Sequence, residues 1–124
     1  MPSSIRLGAI SLDSDDPAAL AQFYRELLGL TPTWQSEDFV ALKGAGVLLT
    51  IQRDSDLRRT TWPDGPVPKQ MHLELAVDDL DVAEHRAIAL GATKAEHQPQ
   101  PDRWRVLIDR DGHPFCVTTL IPDA

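Results

Sequence analysis

Hydrophobic and polar positions along the 124-residue chain fall into two runs of the same kind. Residues 5–13 alternate weakly, Ile5, Leu7, Ala9 and Ser11 against Arg6, Gly8, Ile10 and Leu12, which predicts a strand. Ser14-Asp15-Asp16-Pro17 follows, with Asp16 as an N-cap and proline at the first helical position. Leu20, Phe23, Leu27 and Leu28 then recur at helical spacing, with Gln22, Arg25 and Glu26 on the outside and Gly29 as the stop. Three strands are predicted at 33–36, 39–43 and 47–53, with Gly44-Ala45-Gly46 as the turn between the last two. Residues 54–69 carry little apolar content and contain Pro63, Gly65, Pro66 and Pro68. They read as a loop joining two halves of one domain, with Trp62 as its one large aromatic residue.

The second half repeats the first. In the run 70–77, His72, Glu74 and Ala76 point one way and Leu73, Leu75 and Val77 the other. Asp79 opens a helix over 80–90, with Leu80, Ala83, Ala87 and Leu90 facing inward and Gly91 ending it. Strands are expected at 93–97, 104–109 and 114–121, separated by a proline-rich loop (98–101) and a turn (110–113) served by Asp109 and Asp111. Asp16 and Asp79 stand 63 positions apart, and Gly29 and Gly91 stand 62 apart. The expectation is an α+β fold of tandem βαβββ modules forming a curved, cup-shaped mixed sheet. Module one covers 1–53, the loop 54–69 and module two 70–124, all in a single domain; two units are too few for a solenoid.

Composition narrows the partners. The formal net charge of −7 argues against nucleic-acid or anionic-membrane binding, both of which need a positive surface. No apolar run approaches the roughly 20 residues of a membrane span, and the first residues lack the apolar core of a signal peptide. Cys116 is the only cysteine, so an internal disulfide is excluded and a reducing cytoplasm is the expected location. No P-loop, GxGxxG, CxxC, HExxH or GxSxG pattern occurs, so phosphate cradles, structural zinc and elbow-serine chemistry have no support.

Four stretches carry a resemblance: DDPAALAQFYRELLG (15–29), WPDGPVP (62–68), QMHLELAVDDLD (70–81) and DRDGHPFC (109–116). Together they resemble the glyoxalase/bleomycin-resistance/extradiol-dioxygenase superfamily, the vicinal oxygen chelate fold, and within it the glyoxalase-like branch. The resemblance covers nearly the whole chain and implies two modules whose curved sheets form a cup, usually built with a partner chain. It is specific for fold and not for activity, because the superfamily holds lyases, isomerases, dioxygenases, thiol transferases and drug-binding proteins. In its catalytic members the cup holds a divalent metal, with ligands from the first strand, the fourth, the start of the fifth and the last. His72 matches the fifth-strand histidine. Ala9 stands at the first-strand position and cannot ligate; Cys116 stands where the last strand carries a glutamate; the fourth-strand position falls near Thr50 or Gln52.

The expected site therefore has His72 and Glu74 as candidate acid/base groups. Gln52, Thr50, Phe39, Trp62, Trp104 and Cys116 are candidate ligand contacts. Histidine titrates near neutral pH and suits either binding or proton transfer, although a structural histidine is the plain alternative. Glu74 is a base or a charge partner, and equally a carboxylate paired with an arginine at the rim. Cys116 is a nucleophile if activated, and more plainly a small buried residue. Trp104 heads a strand and also suits the core, whereas Trp62 in a polar loop has the better case as an aromatic wall. His85, His97 and His113, and Arg58, Arg59, Arg103 and Arg105, read as solvated. The leading expectation is a small-molecule-binding protein for an aromatic or natural-product ligand, without a complete metal site and without a cofactor, a divalent metal being the lesser alternative. The rivals are a lyase/isomerase or metal-dependent dioxygenase using His72 and Glu74, and an accessory module with no ligand. A homodimer is expected, because sheet edges need covering.

Overall fold

The computed structural model describes residues 4–122. In chain order they form β1 (Ala9–Ser14), α1 (Pro17–Leu28), β2 (Thr31–Gln35), β3 (Phe39–Ala45), β4 (Val47–Arg53), β5 (Leu73–Ala76), α2 (Leu80–Ala89), β6 (Thr93–Lys94), β7 (Trp104–Ile108) and β8 (Pro114–Thr118). Two compact units result, the first running through Leu57 and the second starting at Arg58. Each holds one helix and one four-stranded mixed sheet that does not close on itself.

In the first unit the strand order is β1-β4-β3-β2, with β1 parallel to β4 and the other neighbours antiparallel. Strand alternation places Val40, Leu42, Leu49 and Ile51 on one face, all buried. α1 packs on β3 and β4 and buries Leu20, Phe23 and Tyr24. The helix begins where predicted: Asp16 Oδ1 accepts the Ala19 N–H at 3.3 Å, and Ser14 Oγ accepts the Asp16 N–H at 3.0 Å. Gly29 ends it in the left-handed region, φ 68°, which a β-carbon would strain. The opposite face carries Ser11, Asp13, Phe39, Ala41, Thr50 and Gln52.

The second unit has the order β5-β8-β7-β6, again with its first and last strands parallel. Leu107, Phe115 and Val117 are buried together with Ala87 of α2, whose start is capped by Asp79 accepting the Val82 N–H at 3.0 Å. The 58–69 segment belongs to this unit. The Arg59 guanidinium donates to the Arg110 carbonyl at 2.6 Å, and Trp62 packs against the cluster of Ala95, Val106 and Cys116.

Several boundaries differ from expectation. β1 starts at Ala9 and not at residue 5, because its ladder partner β4 begins only at Val47. β3 runs on through Gly44 to Ala45, leaving Gly46 at the turn. The strand expected at 93–97 is cut to two residues. Beyond it the Gln98 side chain does the pairing: its amide donates to the Val106 carbonyl at 2.8 Å and accepts the Val106 N–H at 2.9 Å. Arg105, expected in solvent, is half-buried and reaches Asp81 at 2.5 Å and Glu84 at 3.5 Å on α2. Its alternation with Trp104 and Val106 puts it on the helix-covered face, and its guanidinium holds Asp81 below the usual carboxylate range. No helix among the described residues is long and apolar enough to cross a membrane.

Candidate functional site

β5 and β8 lie side by side in parallel, with Glu74 level with Cys116. His72 stands one alternation before Glu74, so the two side chains share a face and meet, Nε2 to Oε1 at 2.5 Å. The ligand-type atoms of His72, Glu74 and Cys116 all lie within 4.8 Å of one another. His72 and Glu74 are exposed, whereas Cys116 is 4% exposed.

The three groups condition each other. Burial first, then the neighbouring Glu74 charge, push the Cys116 thiol up to about 11, while Lys69 acts weakly the other way. Glu74 also accepts a hydrogen bond from the thiol, so its carboxylate gathers donors from two directions. With Nε2 of His72 engaged by Glu74, the other ring nitrogen, Nδ1, is the imidazole's remaining polar atom. Cys116 is therefore a protonated, hydrogen-bonded thiol at neutral pH and not a ready nucleophile. In chelator-treated folded protein, iodoacetamide labelling at pH 8 should run well below the rate in urea, and the folded rate should climb only as pH approaches 11. Because the folded thiol holds its proton more tightly than the unfolded one (about 9), its share of stability is present below pH 9 and fades as pH rises through 11. Equal labelling rates folded and unfolded would contradict this environment.

Beside the dyad lies a largely apolar groove of about 340 Å³, lined by Glu74, Trp104, Thr118, Leu120 and Ile121. Trp104 is thus a groove residue as well as a core neighbour. Trp62 is half-buried, its ring 5.3 Å from that of His97, with the Lys69 ammonium 4.9 Å from its centre. The remaining candidates, Phe39, Thr50 and Gln52, gather on the helix-free face of the first sheet. There the Thr50 hydroxyl bonds to that of Ser11, and the Gln52 amide donates to Asp13 Oδ1 at 2.9 Å. Thr118, Leu120 and Ile121 were not among the sequence candidates. Thr118 and Leu120 were reachable by alternation from Cys116 within the strand expected at 114–121, but β8 ends at Thr118 and leaves Leu120 and Ile121 beyond it.

The two sheets have equivalent ladders. Ser11 is level with Thr50 across β1 and β4, as Glu74 is with Cys116 across β5 and β8. Ala9 takes the place that His72 has in the second unit. A helix and a four-stranded mixed sheet built twice, with polar side chains on the helix-free faces, define a tandem βαβββ fold.

The chain belongs to the glyoxalase-like domain family, whose model matches residues 9–118. A glyoxalase/bleomycin resistance protein/dioxygenase family enzyme from Burkholderia phytofirmans PsJN is 18% identical, with a TM-score of 0.74, over 94% of this chain and 100% of that one. The genomically encoded fosfomycin resistance protein FosX from Listeria monocytogenes is 18% identical, with a TM-score of 0.73, over 98% of this chain and 94% of that one. A lactoylglutathione lyase from Agrobacterium tumefaciens is 23% identical, with a TM-score of 0.62, over 94% and 93%. These likenesses establish the fold. No curated protein sequence matched the chain.

The donors present do not rebuild the four-strand ligand set that the resemblance implies. Ala9 offers a methyl group, the Thr50 hydroxyl bonds to that of Ser11, Gln52 offers a neutral amide oxygen and no carboxylate, and the last-strand position carries a thiol. Magnesium and manganese favour oxygen ligands, carboxylates above all.

Proposed function

We propose that this chain is a small-molecule-binding protein of the glyoxalase-like family that takes an organic ligand with an aromatic or otherwise flat apolar part on the helix-free face of its second sheet. The observation that carries the reading is the groove of about 340 Å³ in which one carboxylate, Glu74, adjoins an otherwise apolar and hydroxyl lining. Trp104, Leu120 and Ile121 would cover the apolar part of the ligand. His72 would accept a hydrogen bond from a ligand hydroxyl or amine through the nitrogen that Glu74 leaves free. The reading needs no metal. FosX is a fosfomycin resistance protein by its name, so sequestration or inactivation of a toxic natural product is the natural setting to test first.

A second reading shares the site. The 2.5 Å contact between His72 and Glu74 is the geometry of an imidazole oriented by a carboxylate, which suits proton transfer in a lyase or isomerase. One experiment serves both. Thermal-shift screening of aromatic and natural-product compounds in the presence of chelator should give hits that stabilise the native protein. For those hits, Trp104→Ala and His72→Ala should each weaken binding about tenfold or more, the loss of one good apolar or hydrogen-bonded contact. Hits that chromatography shows to be consumed, with turnover lost in His72→Ala, favour the enzyme. Hits unaffected by either substitution place the ligand elsewhere and end both readings.

A further inference from the structure

The sequence leaves open whether Cys116 meets His72 and Glu74, which lie more than 40 positions away. The β5–β8 ladder answers it: an imidazole nitrogen, a carboxylate oxygen and a thiol sulfur converge within 4.8 Å. We infer that the second unit alone holds a site for a soft divalent cation of the zinc class, with His72, Glu74 and Cys116 as its three protein ligands and a fourth position open to the groove. The donor set departs from the one the resemblance implies, keeping only its fifth-strand and last-strand positions, His72 and Cys116. It draws nothing from the first sheet, adds Glu74 of β5 beside His72, and includes sulfur.

Three features carry the inference. Donor chemistry comes first: nitrogen, sulfur and a single carboxylate suit zinc or cobalt and disfavour magnesium. Spacing comes next. Metal–ligand bonds of about 2.0–2.3 Å in a tetrahedron hold donors roughly 3.3–3.8 Å apart, so the observed spread needs only small side-chain rotations. Freedom to move is the third. Cys116 is fixed by ladders on both sides, while exposed His72 and Glu74 can swing apart from their 2.5 Å contact to admit an ion. On binding, the sulfur–metal bond forms and the thiol proton leaves to solvent, as coordination of a thiol requires. Three protein ligands with one open position is the arrangement of zinc sites that bind a further molecule. Because Glu74 lines the groove, that position faces the proposed ligand space.

The site shares a face with the proposed function but does not depend on it. Ligand screening is read in chelator and metal binding without organic ligand, so either can fail alone. The test uses tag-free protein, stripped with chelator and kept reduced, titrated with Co²⁺ and read by absorption. One equivalent should produce a sulfur-to-cobalt charge-transfer band and the intense visible bands of tetrahedral cobalt. Zn²⁺ should bleach both, and a large excess of Mg²⁺ should not. Cys116→Ser should abolish the charge-transfer band. His72→Gln and Glu74→Gln should each weaken cobalt binding by at least the roughly 10–100-fold that losing a mere supporting partner costs. Since His72 and Glu74 are exposed, their variants keep the test decisive even if Cys116→Ser misfolds. Absence of a one-equivalent sulfur band, binding unaltered in His72→Gln and Glu74→Gln, or displacement of cobalt by Mg²⁺ in preference to Zn²⁺ would each overturn the proposal.

Discussion

Asp109→Ala should lower the unfolding free energy by about 2–4 kcal/mol, read as a shift of the urea midpoint at unchanged slope. Asp109 is 1% exposed, and its Oδ1 accepts the N–H groups of Asp111 at 2.9 Å and His113 at 3.1 Å. Alanine leaves both donors without that acceptor in the turn that delivers β8. Gly112, at φ 88° in the same turn, lies so close to Arg59 that an added β-carbon would stand 2.9 Å from that side chain, so the loop has little room to readjust. Asp109→Asn keeps an oxygen acceptor without the charge and should recover part of the loss. A change below about 1 kcal/mol in the alanine variant would mean that the turn is held by its backbone alone.

Phe115→Ala should cost about 3–5 kcal/mol, the range for removing a fully buried aromatic side chain. Phe115 is 0% exposed and level with Leu73 and Leu107 on the helix-covered face of the second sheet. Against a typical total of about 5–15 kcal/mol, the loss removes a large share of the stability. Phe115→Leu should lose much less, because leucine fills most of the volume. The comparison also bears on the site, since Phe115 precedes Cys116 on the strand that sets the sulfur against Glu74. An alanine variant as stable as the native protein would mean that this face is loosely packed.

The features legible in the sequence were those whose physics is local. Asp16, Asp79 and Gly29 act at helix ends through groups within a few residues of themselves, and each behaves as read. The repeat and the opposed faces of residues 72–77 are likewise written in short-range alternation. Pairing between distant strands is not. The meeting of Cys116 with Glu74 depends on a parallel ladder between residues 42 positions apart in sequence, which no spacing rule fixes. Arg105 was misplaced because its charge suggested solvent, although alternation already put it on the inner face, opposite the acidic first turn of α2. The shortened β6 was hidden for another reason. A glutamine side chain mimics the backbone there, and nothing in composition distinguishes Gln98 from an ordinary loop residue. Thr50 and Gln52 lie on the helix-free face of the first sheet, and their bonds to Ser11 and Asp13 carry no local signal, because the partner strand lies 39 positions earlier.

Leu120 and Ile121, which form one wall of the groove, come after the last hydrogen-bonded strand and remain 57% and 45% exposed. Their identity therefore matters little to whether the scaffold folds. Under the proposed function, exchanging these two side chains would retune which compounds are retained while the ladder beneath stays untouched. Preference among guests and integrity of the host would then be encoded in separate stretches of the gene.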